Sequence, residues 1–286
     1  VPVVLIIYHR PDTTRKVLEQ IRKAKPERLF VIADGPKNEL DKGCCQAARA
    51  VVENVDWPCK VHRNYADENM GCQARVSTGL DWVFENVERA IILEDDCVPH
   101  TGFFPYCAEL LDRYQNDERV MVVSGDNFQP DQRTYRASYY FSVYNHCWGW
   151  ATWRDAWATY EETIPDWKLL RETTWLKEWL GGESEAEYWR KIFDRVYRGE
   201  VDSWAYPWTF ACWKEHGLTV LPAVNLVTNV GFDERATHTK KASRDADSRS
   251  FEPLLFPLDH PSAMVRSYEA DRFTAEHHFG IRDGWK

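Results

Sequence analysis

The chain has 286 residues, 44% of them hydrophobic and 28% charged, with a net charge of −9. That length buries a substantial core in one large domain or two small ones. The acidic balance excludes the basic stripe of a nucleic-acid groove, and no apolar run approaches the roughly 20 residues that cross a bilayer, so neither a nucleic-acid partner nor a transmembrane segment is expected.

The chain opens on VPVVLIIYHR, directly in a strand, without Met and without a signal-peptide pattern, and is expected to be trimmed from something longer. Val3 to Ile7 is a continuous apolar run, the mark of a strand buried on both faces. Arg10-Pro11-Asp12 punctuates it, and Val17, Ile21 and Ala24 then recur at helical spacing over 13–24. Leu29 to Ala33 reads as a second strand ending in the loop signal Asp34-Gly35-Pro36. A helix over 39–54 and a short strand over 59–63 follow. The turn Asn69-Met70-Gly71 precedes a helix over 73–86, and Ala90 to Leu93 is the fourth strand. A helix over 102–115 leads to a fifth strand, Val120 to Ser124. Strands separated by helices imply a mostly parallel sheet built from right-handed βαβ units.

The second half is less regular. Tyr139 to Tyr144 reads as a strand, 151–160, 185–198 and 203–216 as helices, and Leu218 to Pro222 as a late strand. Residues 231–250 are polar and read as a loop. The segment FEPLLFPLDHPSAM is expected to be extended and to carry no chemistry. Most of the fourteen Trp lie between Trp148 and Trp213, which fits either an aromatic core or a carbohydrate-binding face. The eight Cys are scattered without a CxxC pair, which removes zinc-ribbon and thioredoxin-type motifs. They are read as free thiols in a reducing cytosol, in a protein either wholly cytoplasmic or peripheral to a membrane.

Ligands of an open parallel sheet gather at the carboxyl ends of its strands. The polar residues after each apolar run are therefore expected to share one crevice: Tyr8-His9-Arg10, Asp34-Gly35, Glu94-Asp95-Asp96 and Ser124-Gly125-Asp126. Three consecutive acids suit a hard divalent ion, Mg²⁺ or Mn²⁺, which takes one or two carboxylates while phosphates and water complete its shell. The competing reading is a solvated acidic turn that caps the next helix. No GxxxxGK[ST] or GxGxxG loop occurs, so P-loop and dinucleotide readings have little support.

The stretch IILEDDCVPHTGFFPYCAELL resembles the acidic motif of GT-A glycosyltransferases, especially family 2-like enzymes and N-acetylglucosaminyltransferase I. The order of YHRP, VIADGP and NMG before it strengthens that likeness over most of residues 1–128. The resemblance implies a single Rossmann-like GT-A domain over 1–286, with a mostly parallel central sheet flanked by helices. It divides that domain into a nucleotide-sugar-binding half, 1–128, and an acceptor-binding half with the C-terminal loop, 129–286. It further implies a metal-dependent, inverting hexosyl- or N-acetylhexosaminyltransferase. The donor would be a nucleotide sugar, UDP-linked as first expectation, and the acceptor a glycan, lipid-linked or protein hydroxyl.

By the same resemblance Asp96 would ligate the metal, Glu94 and Asp95 would support it or touch sugar and ribose, and Tyr8, His9 and Arg10 would border the nucleoside. Asp34 would meet base or ribose, and Arg75 a phosphate or the donor sugar, unless it is a surface helix residue. Asp202 would be the general base, with Glu200 as substitute, although Asp before Ser-Trp-Ala is also a good N-cap. His238 would complete the metal shell, with Lys240, Lys241 and Arg244 closing over the diphosphate. Trp148, Trp150 or Trp204 would floor an acceptor site, unless they pack in the core. The alternatives are a nucleotidyltransferase with a related core, against which the glycine-free YHRPDTTRK counts, and a non-catalytic carbohydrate-binding module.

Overall fold

A computed structural model describes residues 1–130, 135–231 and 253–281. The strands are β1 (Val3–Ile7), β2 (Arg28–Ala33), β3 (Lys60–Tyr65), β4 (Arg89–Glu94), β5 (Cys97–Pro99), β6 (Val120–Ser124), β7 (Tyr139–Ser142), β8 (Trp150–Trp153), β9 (Leu218–Pro222) and β10 (Val227–Asn229). The helices are α1 (Pro11–Ala24), α2 (Glu39–Val51), α3 (Cys72–Asn86), α4 (Phe103–Arg113), α5 (Arg154–Trp157), α6 (Trp167–Leu170), α7 (Trp175–Leu180), α8 (Glu183–Tyr197), α9 (Ala205–Lys214) and α10 (Tyr268–His277).

Eight strands form one sheet in the order β3-β2-β1-β4-β8-β6-β9-β7. The parallel block β3-β2-β1-β4 is continued by β8, antiparallel to both β4 and β6, while β6 and β9 run parallel and β7 antiparallel. The expected mostly parallel α/β sheet is present. Its central strands are apolar because helices cover both faces, all five residues of β1 and of β6 being buried, whereas the edge strand β3, KVHRNY, has no buried residue. On one face Val17 and Ile21 of α1 pack with Leu110 and Leu111 of α4. On the other, α3 and α9 bury Leu80, Val83, Trp208 and Trp213.

One expectation changes, and further elements appear where none was expected. Residues 150–153 are a strand, not the start of a helix, and the helix there is confined to α5. Thr152 buries its hydroxyl on the Met121 carbonyl at 2.7 Å, and Trp150 fills the core, so the segment is read by burial rather than by its turn-like neighbours. The three-residue strands β5 and β10 pair antiparallel beside the main sheet. Residues 253–264 carry no helix or strand, and α10 follows them, where no element was expected; its Asp271 is buried against Ser142 and Arg266 (Arg266 Nε to Asp271 Oδ2 2.6 Å).

Candidate functional site

Neighbour order reverses between β1 and β4: the chain steps outward from β1 to β2 and β3, then returns to the other side of β1. At such a switch point the loops leave in opposite directions and open a crevice at the strands' carboxyl ends. A crevice of about 350 Å³ lies there. Tyr8, His9, Arg10, Asp34, Arg75, Glu94, Asp95, Asp96, Trp148, Asp202 and Trp204 all line it, so most of the expected site residues meet in one place.

The connection from β1 to α1 is only Tyr8 to Arg10, because Pro11 starts the helix with its φ preset. The Tyr8 amide donates to Asp95 Oδ2 at 3.1 Å, and the Tyr8 hydroxyl donates to Asp41 Oδ2 at 3.0 Å. Arg10 Nη1 donates to Asp96 Oδ2 at 2.9 Å. Glu94 ends β4 and lines the crevice together with Trp204. Burial, then the neighbouring carboxylates, push both Glu94 and Asp95 well above the ordinary carboxylate range. The trio is thus not a solvated turn. It is a partly buried cluster of three carboxyl groups, in which burial and mutual repulsion favour protons on Glu94 and Asp95 while Arg10 pairs with Asp96.

Asp34 and Asp202 hold the N-terminus of α3 from two sides. Asp34 Oδ1 accepts from the amides of Gly35 at 2.8 Å and Met70 at 2.9 Å, and Oδ2 accepts from Asn69 Nδ2 at 2.8 Å. Burial still raises its pKa. Asp202 Oδ2 and Oδ1 accept from the amides of Cys72 at 3.1 Å and Gln73 at 2.8 Å. It therefore caps α3, 130 residues away, rather than the helix that follows it, whose cap position makes no side-chain bond. Gly71, the cap residue of α3, has φ +83°, and its missing Cβ leaves the space in which Asp202 Oδ2 approaches to 3.1 Å of where that atom would be.

Arg75 is not a surface residue. It is buried and ties strand ends together, donating from Nε to the Ala33 carbonyl at 3.2 Å and from Nη2 to the backbone and side-chain oxygens of Asn64 at 2.6 and 2.8 Å. Trp150 does not reach the crevice: it is buried and stacks on Trp204 at 5.2 Å, with Trp157 and Trp208 against it, so it belongs to the core. Glu200 is paired with Arg198 at 2.5 Å on the surface and is absent from the lining. Asp126 also falls outside the lining: β8 separates β6 from β4, and Asp126 is buried accepting from the Trp148 amide at 2.8 Å. His238, Lys240, Lys241 and Arg244 lie outside the described residues.

Lys37, Cys72, Cys147, Asn229 and Gly231 line the crevice and were not singled out by sequence reasoning. Lys37 carried a signal, since it follows Asp34-Gly35-Pro36 at a strand's carboxyl end. Gly231 had none, because its place depends on β10 pairing with β5. Among the described residues no three His, Cys, Asp or Glu side chains converge into a protein-only metal cage. The residues do fit a hard cation that takes most of its oxygens from phosphate and water: Asp96 offers a carboxylate one-fifth exposed at the crevice, beside two further carboxyl groups that a cation could relieve of their protons.

No family model matches the chain, and no curated protein matches it. Solved structures similar to it include a cytidylyltransferase from Leptospira borgpetersenii, at 12% identity and TM-score 0.34, covering 55% of this chain and 62% of that one. Another is 4-diphosphocytidyl-2C-methyl-D-erythritol synthase from Anaerococcus prevotii, at 9% identity and TM-score 0.32, covering 63% of this chain and 84% of that one. The chain thus spans less than two thirds of the first structure's length. The glycosyltransferase expectation is corrected here. The similar structures carry cytidylyltransferase and synthase names rather than glycosyltransferase ones, and neither a family model nor a curated protein supports the assignment made on the acidic motif.

Proposed function

We propose that the chain is a transferase that binds a nucleotide in the switch-point crevice, with the phosphate chain carried on Mg²⁺ or Mn²⁺ held by Asp96. The observation that carries this reading is the meeting of three partly buried carboxyl groups at the end of β4, with Asp96 lining a crevice at the sheet's switch point. Tyr8, Lys37 and Asp34 border its β1–β2 side, where a nucleoside would lie, while Trp148 and Trp204 border the side left for a second substrate. When bound, the cation would offset phosphate charge and polarise the phosphorus centre. Arg10 adds a guanidinium at the same corner, where it can meet phosphate oxygens with directed donors.

Asp202 serves in this reading as a positioning residue. Both its oxygens are committed to the α3 amides, so its work is to keep the two walls of the crevice in register. Among reactions such a site supports, nucleotidyl transfer is the one we propose: attack on the α-phosphorus of a nucleoside triphosphate with departure of pyrophosphate. The test is incubation with the four nucleoside triphosphates, Mn²⁺ and a deproteinised small-molecule extract as acceptor source. Cation-dependent pyrophosphate release, lost in Asp96→Asn, is expected. Release of a nucleoside diphosphate in its place would contradict nucleotidyl transfer while leaving the nucleotide site standing.

A further inference from the structure

We propose that Arg10 is an exchangeable counter-ion: it neutralises Asp96 in the empty crevice, and gives that carboxylate up to the cation when a phosphate chain arrives to receive the guanidinium. The inference rests on the proposed cation site at Asp96 and goes further, because it makes cation and phosphate binding mutually dependent through one side chain.

Three observations carry it. The pair is direct, Arg10 Nη1 to Asp96 Oδ2 at 2.9 Å, and it sets a positive charge on the carboxylate that a cation would bind. The Gly231 backbone, itself part of the crevice wall, packs directly on the pair: a Cβ there would stand 2.0 Å from Asp96 Oδ2 and 2.8 Å from Arg10 Nη1. The pair therefore sits in the crevice wall, where a ligand of the crevice can reach it. The main chain at Arg10 is held, since its carbonyl accepts from the Thr14 amide at 3.0 Å and from the Thr14 hydroxyl at 2.6 Å. Exchange is then a rotation of the Arg10 side chain, not a movement of the chain.

The physics fixes the sign of the coupling. A guanidinium and a divalent ion repel, so in the absence of phosphate Arg10 competes with the cation for Asp96. A phosphate chain offers Arg10 a bidentate anionic partner and offers the cation further oxygens, which removes the competition. Each ligand then raises affinity for the other by the same factor.

The test measures Mn²⁺ binding by the loss of its free paramagnetic-resonance signal, and binding of preformed Mn²⁺–pyrophosphate by calorimetry, in the wild type, Arg10→Gln and Asp96→Asn. Arg10→Gln should bind Mn²⁺ alone at least threefold more tightly than the wild type and Mn²⁺–pyrophosphate at least tenfold more weakly. A merely structural Arg10 would weaken both. Equal or weaker binding of Mn²⁺ alone in Arg10→Gln overturns the exchange. If the wild type binds Mn²⁺ neither alone nor with pyrophosphate, the cation site itself fails and the exchange with it. Should Arg10→Gln not fold, Arg10→Met, which keeps much of the side chain's length but removes the charge, is held to the same opposite-direction shifts, and their absence overturns the proposal.

Discussion

Asp96 and Trp150 show how differently two residues singled out for chemistry can be placed. Asp96 stands at the crevice with its charge only partly offset, whereas Trp150 sits beneath it in a stack of indoles. Truncation of a fully buried Trp leaves a cavity and costs ~3–5 kcal/mol. Trp150→Ala should therefore lower the unfolding free energy by about that amount in denaturant titration. Trp148→Ala, at a partly exposed crevice position, should cost less than about half as much. Equal losses would mean that Trp150 is not the core residue its packing indicates. The sequence left this open because Trp has the same composition signal whether it stacks on a ligand or on another Trp.

At the scale of elements, α3 depends on partners far away in the chain. Asp202 satisfies two of the amides that a helix N-terminus leaves orphaned, from 130 and 129 residues away. Caps of this kind contribute ~0.5–2 kcal/mol. Asp202→Ala is expected to lower the melting temperature by a few degrees in the absence of any ligand, and an unchanged melting temperature would remove the clip. Asp202→Asn should be destabilised as well, because its amide presents a donor to a backbone donor. Strands β1, β2 and β4 of the parallel block were legible because burial on both faces makes them nearly continuous apolar runs, and the strand-end rule then located Tyr8 to Arg10, Asp34 and the acidic trio. Strand β8 was not, since WATW mixes Trp with small residues and is followed at once by the helical RDAW. The Asp202 clip and the place of Gly231 were hidden for another reason: each exists only after elements distant in sequence have docked.

For the whole molecule, the acidic trio makes stability depend on pH and on cations together. Glu94 and Asp95 ordinarily titrate near 4.5 and 3.8, but in the folded chain they hold protons up to about 8 and about 7. Between those limits the folded state binds protons that the unfolded chain has released, so the contribution of this pair falls as pH rises. With a chelator present, the melting temperature of the wild type should drop more between about pH 5 and pH 8 than that of the Glu94→Gln/Asp95→Asn double variant. A cation at the trio would replace the missing protons as counter-charge, and Mn²⁺ should recover much of the loss near pH 8. Equal pH slopes in the two proteins would show that the trio is not the source.

Calorimetric titration with nucleoside triphosphates, run with Mn²⁺ and again with excess chelator, tests the central claim that a nucleotide is held through a cation on Asp96. Saturable binding that needs Mn²⁺ and disappears in a folded Asp96→Asn variant is the predicted result. Undiminished binding in chelator, or in that variant, would contradict it.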